Sequence, residues 1–260
     1  MAAPWAMTQA LAGGAHIDPD VNVKDYLTKI RNFDEHFVDD IVLKGAELKV
    51  LKSVTARLRR IQSTVGYANF GLLSFDQALY YAGRFSAIGE FTHAEKEFLE
   101  RVFYTNSRDY GFYGEKVLDR LTAGYSERET AKIPYTGHFL LKGAPLNLYK
   151  KIQTQVGSSI VLTSGVRGIV KQMYLFLNKA SENRGNLSLA SRSLAPPGHS
   201  FHGVGDFDVG KTGLGALNFT EHFARTSEFR RLTDLGYIQI RYTESNPFGV
   251  RYEPWHIKVV

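Results

Sequence analysis

The 260 residues, 43% hydrophobic and 22% charged, can bury a sizeable core without staples, which excludes a collagen-like, low-complexity or wholly disordered chain. No apolar run approaches the roughly 18 residues of a membrane-spanning helix, so no membrane span is expected, and the absence of cysteine leaves His, Asp or Glu to hold any metal. The formal charge of +6 is uneven, with 17 basic and 18 acidic side chains in residues 1–140 but 15 and 8 in residues 141–260, so the second half suits an anionic partner.

Residues 1–20 begin small and apolar (Met1 to Met7) and turn polar by His16, which reads as a flexible N-terminus or as the remnant of an export signal. A helical region follows over residues 21–135. Leu48, Leu51, Val54, Leu58 and Ile61 recur at three- and four-residue spacing, a core-facing stripe. Ser74 to Gln77 and Thr92 to Glu95 read as capping boxes that open two further helices. The aromatics from Phe98 to Tyr113 fill a helical core or line a sugar or peptide groove.

Residues 136–260 change character. Gly143-Ala144-Pro145 introduces a helix from Leu146 to Val156, and the period then drops to two over Ser159 to Thr163. Further strands are expected at Phe207–Val209, Ile238–Tyr242 and His256–Val260, with a helix near Thr226–Leu235 that Gly236 ends. Ser181 to Gly198 reads as a long polar connection. The fold class is α+β: helices first, then mixed helices and an antiparallel sheet.

Gly205 to Thr212 spells G-x-x-x-x-G-K-[ST], a phosphate-binding signature. Asp206 and Asp208 inside the loop would repel the anion, and the segment follows a proline-rich loop instead of a buried strand. Nucleotide binding is therefore not expected. Nor is nucleic-acid binding, because Arg167, Lys171, Arg230, Arg241 and Arg251 stand singly.

The same segment makes sense as metal ligands. His202 and Asp208 are six residues apart, on one face if the backbone is extended, and Glu253-Pro254-Trp255-His256 forms a turn into the last strand that keeps Glu253 and His256 close. Two His and one Asp suit zinc with one position left for water, and a further Glu can take that water's proton. Asp206 shares parity with Asp208 and is the alternative ligand. His199 reads as a loop residue, His93 and His222 as helical, while His36 and His138 have no acidic pattern around them.

Ser200-Phe201-His202 with Gly205 and Asp208, then Glu253-Pro254-Trp255-His256, resembles the S-x-H-x-x-G-x-A-x-D and E-x-W-H signatures of M15 zinc peptidases, the VanY-type D-alanyl-D-alanine carboxypeptidases. Ser164-Gly165-Val166-Arg167 with Gln172 resembles that family's S-G-Y-R-x-x-x-x-Q, and the three blocks fall in family order. The stretch from His202 to the aspartate is one residue shorter than in the family, its Ala is missing, and Val166 replaces Tyr. The resemblance implies a hedgehog/DD-peptidase-like catalytic domain with Zn2+ on His202, Asp208 and His256. It also implies Glu253 as general base and acid, Arg167 as the cation beside the reacting carbonyl, and Ser200 and Gln172 as supporting, substrate-binding residues. The implied partner is a peptidoglycan stem peptide ending in D-alanine, in the periplasm or outside the cell. D,D- and L,D-carboxypeptidase, an L-Ala-D-Glu endopeptidase and a non-catalytic wall-binding module all remain open, as does the oligomeric state.

Overall fold

The computed structural model describes residues 19–236 and 239–259. The expected flexible start or signal remnant therefore lies almost wholly outside the described residues. So do Ile238 and Val260 of two expected strands. Among the described residues no helix is long and apolar enough to cross a membrane.

Helix α1 (Pro19–Arg31) is followed by α2 (Gly45–Val65), the short α3 (Tyr67–Phe70), α4 (Phe75–Arg84) and α5 (His93–Tyr104). Leu51, Val54, Leu58 and Ile61 are buried along one face of α2, as the stripe predicts, with Leu48 packed at its edge. Both capping boxes form: Ser74 accepts from the Gln77 amide and Thr92 from the Glu95 amide, and each side chain three residues on returns a bond to the cap. Phe98, Phe103, Tyr110 and Phe112 are core residues, whereas Tyr104 and Tyr113 face solvent.

A hairpin not foreseen in the sequence comes next, β1 (Thr130–Ile133) against β2 (His138–Leu141), turning through Tyr135 at φ 63. Helix α6 (Ala144–Val156) leads into β3 (Ile160–Ser164), and α7 (Ile169–Glu182) follows. The expected polar connection over 181–198 instead contains a buried helix, α8 (Leu187–Ser193), N-capped by Asn186 through the Leu189 amide at 2.7 Å. Its serines and alanines are small enough to pack tightly, so polarity misled the reading. Strand β4 (Phe207–Lys211), helix α9 (Ser227–Asp234) and β5 (His256–Ile257) complete the chain. Among the described residues of the segment expected as a strand at 238–242, Ile240 makes an isolated bridge to Ile257 and no strand forms.

Strands β3, β4 and β5 form one antiparallel sheet in that order. Phe207, Val209, Leu162 and Ile257 point to one face, where Tyr149 and Ile152 of α6 and Leu232 of α9 cover them. Asp208, between Phe207 and Val209, must point to the other face. A second core joins α2, α4 and α5 to α7 and α8, so it spans the 135/136 division drawn from sequence. Two ties join residues 26–40 to the second half of the chain. Tyr26 donates through its hydroxyl to the Asn246 carbonyl and accepts from the Gly249 amide at 2.8 Å. Arg192 of α8 grips the Asp40 carboxylate at 2.7 Å and the Glu35 carbonyl at 2.7 Å.

Candidate metal centre

Strand register assembles the site. Asp208 lies opposite His256 on one side and Ser164 on the other, and directly opposed residues share a face. The register slips between Leu162 and Ser164. This bulge re-aims the chain so that Gly165 and Arg167 turn toward the same face. His202 arrives from a 3-10 turn, Phe201–Gly203, with Gly205 at φ +133 bending the chain into β4. The extended-chain parity expected for residues 202–208 is therefore absent. The turn and glycine do what alternation was assigned to do.

His202 Nε2, Asp208 Oδ1 and His256 Nδ1 converge, with ligand atoms within 4.8 Å of one another and all three residues buried. Asp208 Oδ1 is 3.1 Å from His202 Nε2 and 3.2 Å from His256 Nδ1. The remaining nitrogen of each ring is engaged elsewhere: His202 Nδ1 lies 2.9 Å from the Gly165 carbonyl and His256 Nε2 lies 3.0 Å from Asp206 Oδ2. Rings fixed in this way present their other nitrogen inward, as metal-bound histidines do. Two nitrogens and one carboxylate oxygen fit zinc and leave a position open.

Asp206 has a different place from the one its parity suggested. It backs His256 from the side away from the cluster, takes Arg241 Nε at 2.6 Å and the Val259 amide at 2.8 Å, and is held at a pKa of about 2. Burial opposes that charge, but His256 and Arg241 outweigh it. His256 shows the same contest: burial works against its charge, yet hydrogen bonds to Asp206 and Asp208 raise it to about 9. His202, with one carboxylate partner and Arg167 nearby, is pushed down to about 4, chiefly by burial. The pocket thus carries a carboxylate pair around His256 that favours a cation, and a neutral imidazole ready to donate its lone pair.

Glu253 ends the turn before β5, its carbonyl accepting the His256 amide at 3.1 Å. Its Oε2 lies 3.8 Å from His256 Nδ1, and burial raises its carboxyl to about 7. Arg167 binds Asp208 Oδ2 at 2.7 Å and Ser164 Oγ at 3.0 Å. Both residues line a cleft together with Ser200 and the three converging side chains. Gln172 does not line it: the side chain is buried behind the wall and donates to the Ala195 carbonyl at 2.5 Å, so it shapes the cleft without facing a substrate. His199 is buried in its loop against the Gly114 and Glu115 carbonyls, and His222 stands in an exposed turn ahead of a 3-10 segment and not in a helix. Arg241, a singly placed cation in the sequence, has a role that its spacing did not indicate: its guanidinium stacks over the Phe201 ring at 3.4 Å while neutralising Asp206. Nor did the sequence show that Phe33 and Tyr67 of the helical region reach the cleft.

Residues 143–260 match the family model described as VanY, D-alanyl-D-alanine carboxypeptidase. No curated protein matches the chain. Among solved structures it is similar to the LdcB LD-carboxypeptidase, at 22% identity over 52% of this chain and 70% of that one, with a TM-score of 0.44. It is also similar to a vancomycin-resistance D,D-pentapeptidase VanY variant in complex with Zn(II), at 22% identity over 51% and 78% with a TM-score of 0.39. VanYB in complex with D-alanine-D-alanine gives 22%, 51% and 77%, and 0.39.

Proposed function

We propose, from a chain whose residues 143–260 carry a VanY-type domain, that this protein is a zinc-dependent carboxypeptidase that removes the terminal D-alanine of peptidoglycan stem peptides. The observation that carries this reading is the convergence of His202 Nε2, Asp208 Oδ1 and His256 Nδ1 beside a buried Glu253 whose pKa of about 7 suits proton transfer at neutral pH. His202, Asp208 and His256 would hold Zn2+, which when bound supplies Lewis-acid polarisation and makes water acidic. Glu253 takes the proton of the attacking water and returns it to the leaving amine. Arg167, tethered by Ser164 and Asp208, holds a fixed positive charge at the cleft wall, where it favours the oxyanion that develops on the reacting carbonyl. Ser200 lines the cleft as a hydroxyl for the bound peptide. Such a substrate lies outside the cytoplasm, so the protein works in the periplasm or beyond the cell.

Digestion of purified muropeptides followed by mass spectrometry tests the reading. Loss of a single alanine is expected, and the length of the peptides attacked separates D,D- from L,D-cleavage. Cleavage between L-Ala and D-Glu would replace this reading by an endopeptidase. Binding without any cleavage would replace it by a wall-binding module.

A further inference from the structure

Lys171 is a buried ammonium without a carboxylate. It is 5% exposed, and among the described residues no acidic side chain forms an ion pair with it. Its Nζ bonds Gln62 Oε1 at 3.0 Å and stands 3.8 Å from the centre of the Tyr67 ring. The Phe70 ring lies further off, at 5.6 Å; all three partners belong to the helical region, and all leave the charge uncompensated. A buried cation seated on an amide and two aromatic faces is costly unless it gives up its proton or something else neutralises it.

The position of the charge indicates what that something is. Arg167, Lys171, Leu175 and Lys179 follow one another at four-residue spacing and all line the cleft that holds the zinc ligands. Lys171 and Lys179 are eight residues apart on α7, roughly 12 Å along its axis, so the cations form a track leading away from the reacting centre. The same wall carries two buried hydroxyls with no hydrogen-bond partner among the described residues, Thr163 Oγ1 and Ser193 Oγ. Burial and the neighbouring Arg167 push Lys171 down to about 7, the response of a cation crowded by another cation with no anion between them.

We propose that Lys171, seated by Gln62 and Tyr67, is a specificity-determining residue that binds a carboxylate of the peptide substrate on this wall, with Lys179 extending the site. The proposal rests on the peptidase reading of the cleft and assigns the helical region a part in it: α2 and α3 hold the cation that selects acidic peptides. The carboxylate is either the terminal one or one within the peptide, and both are met by the same ammonium chemistry.

The test uses zinc-loaded full-length protein and a D-alanine-terminated peptide carrying an internal carboxylate, with the internal or the terminal carboxylate free or amidated. The wild type is expected to prefer the free acid by about 10–100-fold in kcat/KM at one of the two positions, the usual range for a hydrogen bond to a charged group. Lys171→Met, which keeps the apolar stem, should bring that ratio close to one, and Lys171→Arg should retain most of it; thermal melts report whether each variant is folded. The position whose ratio collapses identifies the carboxylate. A ratio that Lys171→Met leaves unchanged, or a wild type indifferent to both amidations, overturns the proposal. Affinities measured by calorimetry on Glu253→Gln protein, with and without Lys171→Met, separate the two readings. Discrimination in binding without turnover by the wild type removes the peptidase and keeps the subsite. Turnover with Lys171-independent discrimination does the reverse, and neither binding nor turnover removes both.

Discussion

Glu253 sits where burial makes a carboxylate basic. Replacing it by Ala or Gln is expected to leave zinc content, read by elemental analysis at one atom per chain, and melting temperature nearly unchanged. The same change should lower kcat by about 10²–10⁴-fold, the usual contribution of general acid–base help. A base must lose its proton first, so kcat/KM should rise with pH through a limb at or below about 7, because burial sets the upper value and a bound cation can only lower it. A pH profile whose acid limb survives in Glu253→Gln would assign the proton to another group. The two aspartates should part company. Asp208→Ala removes a converging donor and should abolish zinc binding. Asp206→Ala should weaken zinc by about 10–100-fold through the loss of the carboxylate behind His256, and should destabilise the fold by about 3–5 kcal/mol because it breaks the buried ion pair with Arg241. Zinc titration and urea unfolding of both variants check this. The donors were legible in the sequence because histidine and aspartate are scarce and chemically specific. Their division of labour was not, since which ring nitrogen faces which carboxylate depends on a 3-10 turn and a bulge that no spacing rule announces.

At the level of elements, the site depends on how β3 leaves its sheet. A methyl group on Gly165 would lie 2.0 Å from the Phe139 carbonyl, which accepts the Val166 amide at 2.8 Å, while the Gly165 carbonyl fixes the His202 ring. Gly165→Ala is therefore expected to lower melting temperature and zinc affinity together, as calorimetry and zinc titration would show; a variant that loses stability with full zinc affinity would uncouple the two. Helices with local signals were readable, as α2 with its stripe and α4 and α5 with their capping boxes show. Elements stabilised by distant partners were not. Helix α8 looks like a polar loop because two of its serines find distant partners only in the folded protein: Ser191 donates to the Tyr110 carbonyl at 2.5 Å and Ser188 accepts from the Ile41 amide at 3.0 Å. The β1–β2 hairpin has too short a run of alternating residues to stand out.

Across the whole molecule, α7 belongs to both halves. Ile169, Val170, Met173, Phe176 and Leu177 pack into the helical core, while its opposite face lines the cleft. A fragment of residues 136–260 should consequently expose that apolar face and show no cooperative melt by circular dichroism. Leu58→Ala in α2, far from the metal ligands in sequence, should cost the intact protein about 2–5 kcal/mol and shift the loss of secondary structure and of zinc by the same amount. A soluble fragment with a cooperative melt would mark two independent domains.

The hydroxyl of Tyr26 ties down the loop at Asn246 and Gly249, 223 residues further along the chain, and that loop runs directly into Glu253. Synthesis delivers these partners in the least convenient order, since the Tyr26 hydroxyl cannot make these two bonds until nearly the whole polypeptide has been made. Closing so large a span is slow and comes after local helices have formed. Maturation should then proceed in two observable stages: helicity, read by far-UV circular dichroism, recovers first on refolding, and turnover appears later, when α1 latches onto the loop. Tyr26→Phe, which keeps the ring but loses the latch, should widen the interval between the two signals.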